Sequence, residues 1–424
     1  MSRPLTPPLP EPVDLDDLLE PFSRRGVDLG LERLQAALAE GGNPQERFAA
    51  VQVAGTNGKG SICTFLHGIL RSAGLRVGTY RSPHLVSWCE RIQIDDSWIR
   101  PEDLRGDLAR WQEIGRRHAL TPFELLTAAA FDRFARSSLD LVILEVGLGG
   151  RLDATTVHPA RPVIGLASLG LDHREHLGDT LAAIAAEKAG VMAPGSTVFS
   201  VAQDPEAAVV LEAEALRRGS RVQWLDPLPE APCGGPRLGL RGAWQRSNAA
   251  VAVAMARALS ARCWSIPEQA IRIGLAEARW PGRLERRRWG GRDLLLDGAH
   301  NPPAAHALAR ELGCLDGDGA RGGGRRWLLG IQRHKQGPEM LQALLASADR
   351  ARIVAIPDHR CWDVASLSAA CPELDGRLES GHAGADGLQR DLEWLVSDAE
   401  GRLPAVAGSL HLLGHLMPLL DPPS

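Results

Sequence analysis

The chain has 424 residues, 44% of them hydrophobic and 24% charged, with a formal net charge of −4 and a pI near 6.4. That length exceeds one ordinary hydrophobic core, so two domains are expected, and the composition is that of a globular protein. The mild acidity argues against nucleic acid or an anionic membrane as main partner, and no apolar run approaches a membrane span.

The opening "MSRPLTPPLPEPVD" lacks the apolar core of a signal peptide and reads as an extended proline-rich tail. Strand-like runs follow in order: "AAVQVAG", "LRVGTYRS", "DLVILEVG", "RPVIGLASL" and "STVFSV". Helical patterns such as "SICTFLHGILRSAG" and "TPFELLTAAAFDRFA" lie between them. The alternation predicts α/β units around a mainly parallel sheet. Proline, glycine and arginines in "WPGRLERRRWGGRD", Trp280 to Asp293, mark a domain break, so a first domain is expected over 1–287 and a smaller one over 288–424. "LLLDGAH", "RWLLGI", "RIVAIP" and "AVAGSLHLLG" carry the second alternation. The glycine-rich "DGDGARGGGRR", Asp316 to Arg326, reads as a mobile surface loop, with phosphate binding by its arginines as the alternative. The seven cysteines form no C-x-x-C pair, which suits reduced thiols in a cytoplasmic protein. No extended apolar surface pattern stands out, so a monomer is expected.

"VAGTNGKGS", Val53 to Ser61, follows an apolar strand and precedes a helix, the setting of a phosphate-binding loop. Backbone N–H groups and the helix N-terminus there favour anionic oxygens, and Lys59 can reach the outer phosphates. The loop departs from G-x-x-x-x-G-K-[ST] twice: Val53 replaces the first glycine, and Gly60 stands where the magnesium-binding hydroxyl belongs. One residue along a helix turns a side chain by roughly 100°, so Ser61 does not substitute for that hydroxyl. Magnesium needs oxygen ligands, and these must come partly from elsewhere. Glu145, Asp172 with His173, and Ser82 each follow a predicted strand, where open α/β sheets bind ligands. Taken singly, His173 is as well read as a turn histidine and Ser82 as a helix cap; their common placement favours the metal.

The motifs "VAGTNGKGS", "YRSPHLVSWCERI", "TPFELLTAAAF", "EVGLGGRLDAT", "LDHREHLGDTLAAIAAEKAGV", "NAAVAVA", "WPGR" and "DGAHNP" occur in an order that resembles folylpolyglutamate and dihydrofolate synthases. These are ATP-dependent amide ligases of the Mur ligase superfamily. The resemblance runs from about Asp28 to the C-terminus, dense before residue 305 and thin after it. It implies a P-loop-type ATPase domain followed by a smaller Rossmann-like α/β domain. Gly58, Lys59, Gly60, Ser61, Asn248, Arg283 and Asp297 would bind ATP, the co-substrate. Ser82, Glu145 and His173 would hold magnesium, and a carbamylated Lys188 would help a second ion. Lys59, Glu145, His173 and Lys188 would thus carry the catalysis, by positioning and electrostatics through an acyl phosphate.

Asp28, Leu29, Gly30, Thr121, Pro122, Phe123, Glu124, Leu152, Asp153 and Ala154 match pterin-contacting positions, and His300 and Ser409 match the glutamate side. "TPFE" has a complete structural reading as well, a capping box from Thr121 to Glu124 with Pro122 at the first helical position. The resemblance implies L-glutamate, dihydropteroate and reduced folates as substrates, and leaves open which synthase activity is present. Two departures stand out. "QRHKQ" keeps Lys335 but has His334 and Gln336 where relatives often carry acids, and Thr156 stands where asparagine is usual. A Mur-type ligase acting on a peptidoglycan precursor is one alternative, but the folate-branch motifs disfavour it. A non-catalytic ATP-regulated binding protein is the other.

Overall fold

The computed structural model describes residues 7–25, 27–316, 323–384, 386–397 and 402–421. Residues 1–6 of the proline-rich tail and 317–322 of the glycine-rich stretch lie outside the described residues. The chain divides into two units, Met1–Leu240 with Trp244–Trp280, and Arg241–Ala243 with Pro281–Ser424.

The first unit is built on an eight-stranded sheet. Its strands are β1 (Ala50–Ala54), β2 (Val77–Tyr80), β3 (Ile92–Ile94), β4 (Ser97–Trp98), β5 (Leu141–Glu145), β6 (Val163–Leu166), β7 (Thr197–Val201) and β8 (Arg221–Leu225). The spatial order is β4-β3-β2-β5-β1-β6-β7-β8, parallel from β2 to β8 and antiparallel at the β3–β4 edge. Every residue of β1 and β5 is buried, the expected state of central parallel strands covered on both faces. On one face Ile62, Phe65, Leu66 and Ile69 of the helix Lys59–Ser72 pack with Val251 and Met255 of the helix Gln245–Ser260. On the other, Trp111 of the helix Pro101–Arg117 packs with Leu125, Phe131 and Phe134 of the helix Pro122–Ala135.

The second unit carries β9 (Glu285–Trp289), β10 (Arg292–Leu296), β11 (Arg326–Leu329), β12 (Arg350–Ile353), β13 (Leu378–Ser380) and β14 (Ala405–Ala407). Their order is β13-β12-β11-β14-β10-β9, with β9 antiparallel to β10 and the rest parallel. The sequence pattern gives no sign of β9, because "ERRRW" has almost no apolar face. Backbone pairing of Glu285 through Trp289 with β10 makes it a strand. That pairing puts Pro281–Arg287 in the second unit, so the observed division falls a few residues before 287/288. Among the described residues no helix is long and apolar enough to cross a membrane.

Candidate active site

The phosphate loop spans the end of β1 and the helix Lys59–Ser72, at the carboxyl edge of the parallel strands. Gly58 caps that helix at φ +104°, a left-handed conformation glycine adopts without strain. A Cβ on Gly58 would stand 2.4 Å from Oδ1 of Asn248, so Asn248 rests directly on the loop. Asn248 Nδ2 donates to Gln245 Oε1 (2.9 Å), and Gln245 Nε2 donates to Ser61 Oγ (3.2 Å). The helix Gln245–Ser260 thereby fixes both ends of the loop's last turn. Lys59 folds back, its Nζ donating to the carbonyl oxygens of Gly55 (3.1 Å) and Thr56 (3.2 Å).

Gly60 has a spatial reason for lacking a side chain. A Cβ there would stand 3.2 Å from Nε1 of Trp280 and 3.7 Å from Oε1 of Glu145. The carboxylate of Glu145 thus lies beside the loop position where a hydroxyl is usual.

Tyr80 of β2 is in register with Leu144 of β5, so Ser82 and Glu145 follow neighbouring strand ends. Glu145 is buried, and Ser82 Oγ is buried with no hydrogen-bond partner among the described residues. An orphaned buried hydroxyl beside a buried carboxylate fits an oxygen-seeking divalent cation. His173 follows β6, on the far side of β1, with φ +51° and a partly exposed ring. Its backbone N–H donates to Oδ1 of buried Asp172 (2.9 Å). Among the described residues no three His, Cys, Asp or Glu side chains gather into a metal cluster. The expected set consists of one hydroxyl, one carboxylate and one imidazole. Lys188 is buried and its Nζ donates to Gly55 O at 3.1 Å. Burial, then the charge of Lys59, lowers its amine to about 7.

The "TPFE" segment forms the complete capping box: Glu124 N donates to Thr121 Oγ1 (3.3 Å) and Thr121 N donates to Glu124 Oε2 (2.7 Å). Phe123 lies against Gly147 just beyond β5, its ring 6.1 Å from that of Tyr80. Asp153 is buried, accepting from the backbone N–H groups of Gly147 and Leu148 (2.9 Å each) and Thr155 (3.0 Å). Its neighbours Leu152 and Ala154 share the same turn. Thr156 Oγ1 accepts from Gln52 Nε2 (2.9 Å) and donates to Gly150 O (2.7 Å), so threonine meets the local bonding needs. Asp28, just before Leu29 and Gly30, is joined to this region by Arg33, which pairs with Asp28 Oδ2 (3.0 Å) and Glu124 Oε1 (3.2 Å). Sequence reasoning missed Arg33, since 91 residues separate it from Glu124.

In the second unit Asp297 follows β10 and accepts from Leu284 N (2.8 Å) and Ala299 N (2.9 Å). Burial raises its carboxyl, while Arg283 opposes that shift. His300 Nδ1 bonds Gly298 O (2.8 Å), and Ser409 Oγ accepts from His411 N (3.1 Å). These two residues follow the adjacent parallel strands β10 and β14. Lys335 is buried, and its carbonyl accepts from Trp362 Nε1 (2.9 Å).

A glycine-lined loop on a parallel sheet, flanked by a buried carboxylate and an orphaned hydroxyl, defines a nucleotide-binding α/β protein. A family model described as dihydrofolate synthetase, C-terminal domain, matches residues 285–419. The dihydrofolate synthetase of Saccharomyces cerevisiae is 31% identical over 422 residues, covering 92% of this chain and 97% of that protein. The dihydrofolate synthase/folylpolyglutamate synthase of Bacillus subtilis is 36% identical over 318 residues, 68% of this chain and 73% of that one. A Yersinia pestis bifunctional folylpolyglutamate synthase/dihydrofolate synthase, solved with AMPPNP and a manganese ion, superposes with a TM-score of 0.82 at 29% identity, covering 97% of this chain and 99% of that one. The chain belongs to the dihydrofolate synthase/folylpolyglutamate synthase family of ATP-dependent ligases. It is an enzyme of that class.

Proposed function

We propose that the enzyme joins L-glutamate to dihydropteroate and to reduced folates, both activities residing in one chain. The single observation that carries the site assignment is Glu145 Oε1 lying beside Gly60, a carboxylate next to the phosphate loop. In this reading the loop from Gly58 to Ser61 binds the ATP phosphates, with Asn248 holding the loop's shape. Lys59 leaves the carbonyls of Gly55 and Thr56 for the outer phosphates, placing a positive charge where negative charge builds in phosphoryl transfer. Ser82, Glu145 and His173 would hold magnesium, which when bound supplies charge neutralisation on the phosphoryl oxygens. Lys188, its amine lowered to about 7, is suited to capture carbon dioxide as a carbamate, an anionic oxygen ligand for a second ion.

Phe123 offers an aromatic face to the pterin, with Asp153 and the Asp28–Arg33–Glu124 chain shaping the polar edge. The acceptor's carboxylate oxygen takes the γ-phosphoryl group, ADP leaves, and the glutamate amine then displaces phosphate to form the amide. His300 and Ser409 would orient the glutamate. The chain's free cysteines suit a reducing cytoplasm.

The test is direct. Purified protein is incubated with ATP, magnesium and L-glutamate, with dihydropteroate or tetrahydrofolate supplied separately, and phosphate release is followed with product mass. Product from both acceptors is expected. Product from one alone would remove the dual activity, and phosphate release with neither would remove the proposal.

A further inference from the structure

Two arginines, Arg81 buried and Arg91 partly buried, meet just before Ser82 at the end of β2. Arg81 N donates to Arg91 O at 2.9 Å, joining the two residues at the end of the β2–β3 pair. The guanidinium of Arg81 is committed: it donates to Gln93 Oε1 and lies over the rings of Trp280 (4.9 Å) and Trp98 (5.8 Å). Arg91 is held differently. Its Nε donates to His84 Nδ1 at 2.9 Å, and its guanidinium lies 4.4 Å over Trp88, whose ring centroid is 4.6 Å from that of His84. An arginine N–H can only donate, so His84 Nδ1 bears a lone pair and the imidazole is neutral. Neither member of this clamp brings negative charge.

Among the described residues no carboxylate forms an ion pair with Arg91, and its two Nη groups have no hydrogen-bond acceptor. The adjacent Glu90 is engaged elsewhere, accepting from the backbone N–H groups of Leu85 (3.1 Å), Val86 (2.6 Å) and Ser87 (2.7 Å). Burial opposes the charged form of Arg91, while Tyr80, Glu90 and Glu145 favour it through their charges. Tyr80 in turn faces Phe123. A planar guanidinium with both Nη groups open matches a carboxylate bidentately.

We propose that Arg91 receives the carboxylate of the pterin-bearing acceptor, the group that becomes phosphorylated. This rests on the acceptor class given under Proposed function. The clamp fixes the guanidinium next to the strand pair that carries Tyr80, whose ring faces Phe123, and within the field of Glu145, which lies beside the phosphate loop. A carboxylate docked there keeps one oxygen on Arg91 and presents the other toward the γ-phosphate, so Arg91 selects acid over neutral analogues.

The experiment compares binding of dihydropteroate with that of its carboxamide analogue, by calorimetry in the presence of ADP and magnesium, to wild type, Arg91→Gln and Arg91→Lys. Wild type should prefer the acid about ten- to a hundredfold, the usual worth of a charged hydrogen-bonded pair. Arg91→Gln should bring the two ligands within about threefold, with carboxamide affinity unchanged, and Arg91→Lys should recover part of the preference. An unchanged preference in Arg91→Gln, or equal weakening of both ligands, overturns the proposal. Should Arg91→Gln fail to fold, wild type binding acid and carboxamide alike overturns it independently. Turnover of dihydropteroate or tetrahydrofolate by wild type separates failure at Arg91 from failure of the functional reading.

Discussion

Lys59 and Lys188 direct their ammonium nitrogens at one atom, the carbonyl oxygen of Gly55, each from 3.1 Å. The two lysines lie far apart in the sequence, yet they share a buried acceptor on the phosphate loop. Their mutual repulsion adds to burial in holding Lys188 near 7. A lysine that is half neutral at neutral pH can react with carbon dioxide, which an ordinary surface lysine does poorly.

Carbon dioxide should therefore matter to activity. Depleting bicarbonate is expected to lower kcat several-fold, with recovery when bicarbonate is returned. Lys188→Ala should lose activity by about 10–100-fold, the scale seen when a metal's supporting groups are removed, and should ignore bicarbonate. Equal bicarbonate response in wild type and Lys188→Ala would show that Lys188 is not the modified group.

Gly58→Ala should be severe. The added methyl meets Asn248 Oδ1 and forces a side chain into φ +104°. A cost of about 1–3 kcal/mol in stability follows from such backbone strain. Nucleotide affinity should fall with it, because the loop must shift away from Asn248. Thermal melting and titration with a non-hydrolysable ATP analogue check both effects, and unchanged affinity would mean the loop tolerates the shift.

The capping and ligand-binding readings of "TPFE" separate by substitution. Thr121→Ala removes the acceptor for Glu124 N and should cost about 1 kcal/mol of stability. Phe123→Leu leaves the capping box intact and should raise KM for the pterin acceptor about tenfold, with little change for ATP. Steady-state kinetics beside urea denaturation distinguish them. If Phe123→Leu leaves the acceptor KM untouched, the segment is structural only.

Acid should destabilise the fold through His158. The ring is buried, bonded through Nε2 to Phe48 O (3.0 Å), and burial lowers its pKa from 6.5 to about 4. The unfolded chain thus binds a proton that the folded one refuses between those values. The stability associated with the neutral ring is complete above pH 6.5 and is lost as pH falls toward 4, on the order of 3 kcal/mol. Urea midpoints measured across that range should fall for wild type and fall less steeply for His158→Gln. Parallel slopes would exclude His158 as a source.

By itself the sequence determined the alternation of buried strands with helices. Apolar runs such as "DLVILEVG" have no stable place outside a covered parallel sheet. It also located the phosphate loop and the residues following each strand, since both are local patterns of a few residues. Strands β3, β4, β8, β9 and β13 were not legible, because each is short or largely polar and is defined by backbone pairing to a neighbour. The reason Gly60 lacks a side chain was equally hidden. Trp280 and Glu145 reach the loop only once the sheet is assembled, and the same assembly brings Arg33 to Glu124 and clamps Arg91 between His84 and Trp88. Electrostatic need depends on what stands within a few ångströms, and that distance is set by packing across the fold, not by position along the chain.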